Sequence, residues 1–197
     1  MMSTLFPKYD PDLFHEIHQV STFLPAEENK ESLRCILYVI AAITILHLLL
    51  LQAVKSWKRS GSGAVKEETA DEKQAASLAA WKASYQITNL LVNFTLGCLG
   101  FYYQTHIPWL GSESIMNKIV GYEHVKLFAI GQVGYQLWAL PIGIFFVGET
   151  KGMLIHHVAV VCVGSVSTFV HSGFRYYTPY FYGIIEISSV PLSIMNS

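Results

Sequence analysis

Apolar residues in this chain come in long runs that no charge interrupts. No Asp, Glu, Lys or Arg falls between Arg34 and Lys55, between Lys82 and Glu113, between Lys126 and Glu149, or between Lys151 and Arg175. From Tyr176 to Ser197 the only charged residue is Glu186. A helix that crosses the hydrocarbon layer of a bilayer needs about 20 such residues. Five stretches reach that length, at about 35–54, 84–104, 125–147, 152–171 and 177–197. In hydrocarbon a backbone has no water to bond, so each stretch is predicted to be a helix. The third carries Gly131, Gly134, Pro141 and Gly143, and the fifth carries Pro179, Glu186 and Pro191. Membrane helices tolerate Gly and Pro, which mark close packing or kinks there.

The polar segments divide the chain further. Residues 1–33 are polar and acidic in patches, with neither the apolar core of a signal peptide nor the Arg-rich pattern of a transit peptide. Residues 34–54 form the first span. Residues 55–82 hold Lys55, Lys58, Arg59, Lys66, Lys73 and Lys82, a flexible linker at Ser60-Gly-Ser-Gly, and a helical lead into span two from Ala75 to Ala83. Residues 83–197 hold the remaining spans. Basic loops stay on the cytosolic side, which places 55–82 in the cytosol and residues 1–33 in the lumen if the membrane is the endoplasmic reticulum. Residues 105–124, with Lys118 as their only Lys or Arg, then face the lumen. The link Gly148-Glu-Thr-Lys151 returns to the cytosol.

Composition agrees with an all-α, polytopic membrane helix bundle. Hydrophobic residues make up 52% of the 197 residues and charged residues 14%. Soluble domains carry about 25% charged residues. The 11 Tyr, 11 Phe and 4 Trp exclude a disordered chain. A net charge of −1 gives no footprint for nucleic acid. Cys35, Cys98 and Cys162 are odd in number, widely spaced and set in apolar runs, so neither a disulfide scaffold nor a metal site is expected. No cofactor is implied.

Ionisable groups inside a membrane are costly and tend to be functional. Span four opens with Met153-Leu-Ile-His156-His157-Val158. Neighbouring residues on a helix point about 100° apart, so the two imidazoles diverge and at least one faces the bundle interior. Glu186 lies mid-span in the fifth stretch, with Ser189 one turn on and Ser193 beyond, so the three form one polar stripe aimed at the histidines if spans four and five are neighbours. His47 and His171 are read as hydrogen-bonded to neighbouring helices. The sequon Asn93-Phe-Thr95 lies inside span two and is idle. Tyr102, Tyr103, Trp109, Tyr176, Tyr177 and Tyr180 read as a lumenal interface belt.

Three segments together carry a resemblance: Gly134-Tyr-Gln-Leu-Trp138, Met153-Leu-Ile-His-His-Val-Ala159 and Glu186-Ile-Ser-Ser-Val-Pro-Leu192. They resemble the TLC domain, a family that includes ceramide synthases, translocation-associated membrane proteins and smaller lipid-homeostasis proteins. The resemblance runs from about Lys82 to the C-terminus and implies a membrane protein of lipid metabolism or lipid homeostasis. Ceramide synthases follow the histidine pair with His-Asp-x-x-Asp and transfer an acyl group from acyl-CoA to a sphingoid amine. By position His156 and His157 look like that pair, Glu186 falls at the first aspartate and Ser189 at the second, while Ile185 stands where the synthases have His. The Glu-x-Ser-Ser-x-Pro pattern is more similar to the smaller, non-synthase members.

The resemblance thus implies His156, His157 and Glu186 as catalytic residues if the protein is an enzyme, Ser189 and Tyr135 as substrate contacts, and acyl-CoA as co-substrate. A non-catalytic lipid-binding or lipid-sensing protein is the alternative, and a small proton-linked transporter using His156, His157 and Glu186 is a third. Membrane lipids are the expected partners, with a homo-oligomer left open. TLC domains carry at least one more helix beyond this point, which implies a C-terminally truncated domain with five of six or more spans.

Overall fold

The computed structural model describes residues 26–61, 69–106, 126–170 and 178–188. The expected lumenal segment before Ala26, the linker beyond Gly61, the expected lumenal loop with Trp109 and Lys118, and His171, Ser189 and Ser193 lie outside them, while Ser60 and Gly61 close the first helix. Among the described residues the fold is entirely helical. Helix α1 spans Ala26–Gly61, α2 spans Ala70–His106, α3 spans Lys126–Ile142 and α4 spans Lys151–Ser165. A π-turn, Gly143–Val147, extends α3, and a second, Val166–Val170, extends α4. A short helix α5, Thr178–Phe181, and a 3-10 turn, Ile184–Ser188, follow.

Helix ends follow local chemistry. Glu27 and Glu28 sit in the first turn of α1 and Lys58 and Arg59 in its last, matching the helix dipole. Its 36 residues reach about 54 Å at about 1.5 Å each, well beyond a hydrocarbon layer of about 30 Å. A capping box starts α2. The Glu72 amide donates to Thr69 Oγ1 at 3.3 Å, and the Thr69 amide donates back to Glu72 Oε2 at 2.8 Å. That backbone bond, reinforced by the Thr69 hydroxyl, holds the exposed Glu72 carboxyl below its ordinary pKa. Thr150 caps α4 by accepting from the Met153 amide.

Residue pairs across the interfaces fix the directions. Along α1 and α2, Leu51 clusters with Ala80 and His47 meets Thr88, so these two helices are antiparallel. Along α2 and α3, Tyr85 stacks on Trp138, Asn93 bonds Tyr135 and Tyr103 packs on Phe128, again antiparallel. Ile36 clusters with Ile130 and Val133 while His47 packs on Trp138, so α1 and α3 are parallel. Gln136 meets His157 and Val133 meets Gly164, which makes α4 antiparallel to α3. The directions alternate along the chain, as successive membrane crossings require.

Three described helices are long and apolar enough to cross a bilayer: Glu27–Ser60, Lys126–Val147 and Lys151–Val170. The second predicted stretch lies within α2, which runs beside α1 and α3 over the same depth but falls short on apolarity. Its interior face carries Thr88, Asn89 and Asn93, all buried. Of the fifth predicted stretch, the part described is not one continuous helix. It is one helical turn, a break at Tyr182-Gly183 and a 3-10 turn. The Glu186 amide there bonds the Gly183 carbonyl, three residues back.

The core sits on α3, 56% of whose most apolar window is buried against 22% for α1 and for α4. Tyr85, Tyr135, Trp138 and Ile43 form its main cluster. Small residues set the spacing. A Cβ at Gly134 would lie 2.7 Å from Val39 Cγ1 of α1, and one at Gly164 would lie 2.5 Å from Val133 Cγ2 of α3. Close helix approach through small residues is the packing that membranes favour, because hydrocarbon supplies no hydrophobic drive between helices.

Candidate functional site

The histidine pair divides as helical geometry requires. His157 is 1% exposed and His156 is exposed, with ring centroids 6.0 Å apart. The His157 ring is held on both sides. Nε2 lies 3.1 Å from Glu149 Oε2, and Nδ1 is in hydrogen-bond contact with Gln136 Oε1 of α3. The Tyr85 hydroxyl of α2 donates to the same Glu149 oxygen at 2.7 Å. One carboxylate oxygen thus joins α2 to α4, and the imidazole joins α4 to α3. The Nε2–H donates to the Glu149 carboxylate, and the Gln136 amide, which can present either its oxygen or its nitrogen, partners Nδ1.

Glu186 lies one turn along α3. It is 5% exposed, and its Oε1 accepts from Gln132 Nε2 at 2.7 Å. Gln132 and Gln136 are four residues apart and so share the face of α3 that meets both acids. The predicted stripe towards the histidines is described only at Glu186, and the Gln132 bond docks that carboxylate on α3.

Beside these groups a pocket of about 380 Å³ opens between α4 and the α5 region. His156, Ala159, Val163, Thr178, Ile185 and Glu186 contribute to its walls. It is apolar except where His156, Thr178, Tyr182 and Glu186 enter, and its size falls within the range of about 300–1,000 Å³ usual for small-molecule sites. Tyr135 is not on this wall. It is 2% exposed, accepts from Asn93 Nδ2 at 3.4 Å and stacks on Trp138. Asn93 is equally buried in the bundle.

His47 is buried between Trp81 and Trp138. The Thr88 hydroxyl gives its proton to the Ser84 carbonyl at 2.8 Å, so the 3.4 Å contact to His47 Nδ1 is a bond donated by the ring. No group of three or more metal-ligating side chains occurs among the described residues.

Sequence reasoning passed over Glu149, Tyr85, Gln132 and Gln136. Glu149 reads as a loop charge because it follows Gly148 outside the apolar run. Its contact with His157 comes from the chain reversal at Gly148, ahead of the helix, so no helical spacing in the sequence signals it.

Three helices fit to cross a bilayer, packed with α2 so that direction alternates along the chain around buried polar groups, define an integral membrane helix bundle. The TLC-domain family model matches residues 82–196, more than half of the chain, and the chain belongs to the TLC-domain family. It is therefore a membrane protein with a lipid-related function. No curated protein and no solved structure matches it.

Proposed function

We infer that the chain binds membrane lipid in the pocket beside α4 and serves lipid homeostasis, with an acyl chain against Ala159, Val163 and Ile185 and a polar head at His156 and Glu186. The observation that carries this reading is the pocket itself, apolar over nearly all of its wall, with His156 and Glu186 among the residues that line it. Burying an acyl chain there contributes about 0.8 kcal/mol per methylene only against a water reference. Competition with bulk lipid leaves the polar head to supply the selectivity.

The test uses the full chain purified in detergent with a diazirine-bearing sphingoid lipid as probe. Crosslinks should map to the α4 and α5 peptides and weaken several-fold in His156→Ala and Glu186→Gln. Crosslinks spread evenly over the lipid-facing surface, unchanged in both variants, would refute a binding site.

One observation favours acyl transfer as a second reading: His156 stands on the pocket wall with Glu186, its ring open to an incoming group. The amine nitrogen of a sphingoid base would form a C–N bond to the acyl carbon of acyl-CoA. The C–S bond would break, the coenzyme A thiolate would leave, and His156 would take the amine proton as general base. Counting labelled ceramide made from labelled acyl-CoA tests it. Product above a mock preparation that falls about 10²–10⁴-fold in His156→Ala supports it. No product from wild type rejects it and leaves lipid binding as the function.

A further inference from the structure

The link between α3 and α4 is shaped around one side chain. The π-turn Gly143–Val147 ends at Gly148, whose φ of 67° belongs to the left-handed region that glycine adopts without strain. The Glu149 amide then bonds back to the Gly143 carbonyl at 3.0 Å. The chain so reverses that the Glu149 side chain runs back into the bundle, where it is 10% exposed, rather than out to water. Space for the carboxylate comes from Gly143, where a Cβ would lie 2.6 Å from Glu149 Oε2. Two glycines and a π-turn thus place a single oxygen between Tyr85 and His157.

We propose that Glu149 is the positioning residue of the histidine pair: it locks His157 in the interior, and through the helix it sets His156 towards the pocket. His157 has Glu149 on one nitrogen and Gln136 on the other. Both nitrogens are therefore engaged within the bundle, and His157 holds the wall while His156 meets the ligand. The part of this inference that concerns His156 rests on the lipid-pocket reading. The hold on His157 does not.

The experiment separates the two. Full-length protein in detergent is treated with diethyl pyrocarbonate, which modifies accessible imidazole nitrogens, and each histidine is scored by mass spectrometry. In wild type His156 should react and His157 should be protected. In Glu149→Leu, which removes the acceptor but keeps bulk, His157 modification should rise about tenfold or more, as fits the loss of a hydrogen bond to a charged group. Gly143→Ala should do the same with every polar group retained, because its methyl displaces the flexible end of Glu149.

His47, on α1 and separated from this turn by the Trp81 ring, reports whether the bundle stays intact. It should stay protected in both variants. Protection of His157 in both variants overturns the proposal. Simultaneous exposure of His47 and His157 also overturns it, because the acid then merely holds the bundle closed. Lipid crosslinking on the same samples reads the other reading separately. A wild type that fails to crosslink at the pocket while Glu149→Leu still releases His157 rejects the lipid site and leaves the positioning role standing.

Discussion

Replacing Gly134 with Ala isolates the cost of the closest contact between α1 and α3. The added methyl would stand 2.7 Å from Val39 Cγ1, 2.9 Å from Val39 Cβ and 3.3 Å from the Ile36 carbonyl oxygen. Val39 cannot turn away, because a β-branched side chain in a helix has essentially one χ1 rotamer and its Cβ is fixed by the backbone. The helices must separate by several tenths of an ångström. Overpacking of this kind costs about 1–3 kcal/mol. Against it stands the gain from replacing Gly in a helix, about 1 kcal/mol. The net expectation is a loss of up to about 2 kcal/mol.

Gly152→Ala supplies the control, since a Cβ there meets nothing within 4 Å. It should be neutral or stabilising by up to about 1 kcal/mol. The difference between the two variants should then come to about 1–3 kcal/mol, because the propensity gain is common to both and the clash is not. Reversible unfolding in mixed micelles with increasing SDS mole fraction, followed by Trp fluorescence, measures it. Gly134→Ala as stable as Gly152→Ala would refute the reasoning, and with it the α1–α3 contact on which the bundle's parallel pair rests.

Three further outcomes are expected. A protease-cleavable tag inserted after Gly61 should be digested in intact microsomes while a tag at the N-terminus is protected; protection of the Gly61 tag would invert the topology. Thr69→Ala should remove the capping box of α2 and cost about 1 kcal/mol at that helix end, read as faster amide exchange over 70–73. The native carboxyl of Glu72 is held below its ordinary pKa, so its contribution is present above the unfolded value and fades as pH falls through the lower folded one. Protection of the amides in that turn, taken against intrinsic exchange at each pH, should fall in acid for wild type and not for Glu72→Ala, which lacks the titrating group; equal pH dependence of the two would refute the box.

Much of the bundle was legible because charge exclusion is so strong a constraint. The limits of α3 and α4 follow Lys126 and Lys151, and the divergence of His156 from His157 follows from helical angle alone. The character of α2 was harder to read. Its polar side chains Thr88, Asn89 and Asn93 lower its hydropathy, yet they face inward, where His47 and Tyr135 of neighbouring helices meet Thr88 and Asn93. Pattern cannot distinguish a polar residue facing a partner from one facing water. The broken stretch from Thr178 to Ser188 was missed for a related reason, since its composition is apolar enough for a span while its backbone turns at Gly183. Glu149 was invisible because its role depends on a backbone reversal at Gly148 that brings a link residue back inside.

The two π-turns bear on how this chain can change in length. A π-turn holds one residue more per turn than the α-helix around it. Gly143–Val147 and Val166–Val170 are therefore places where one residue can be lost without leaving a gap in the backbone ladder, the turn simply tightening to α geometry. Everything downstream would then rotate by about 100° about the helix axis. At the second turn that moves Ser167 and Thr168, both now buried. At the first it swings Glu149 and His157 together away from Tyr85 and Gln136. The same elasticity that lets the helices absorb an insertion or a deletion therefore makes the aim of one carboxylate depend on the count of residues before it.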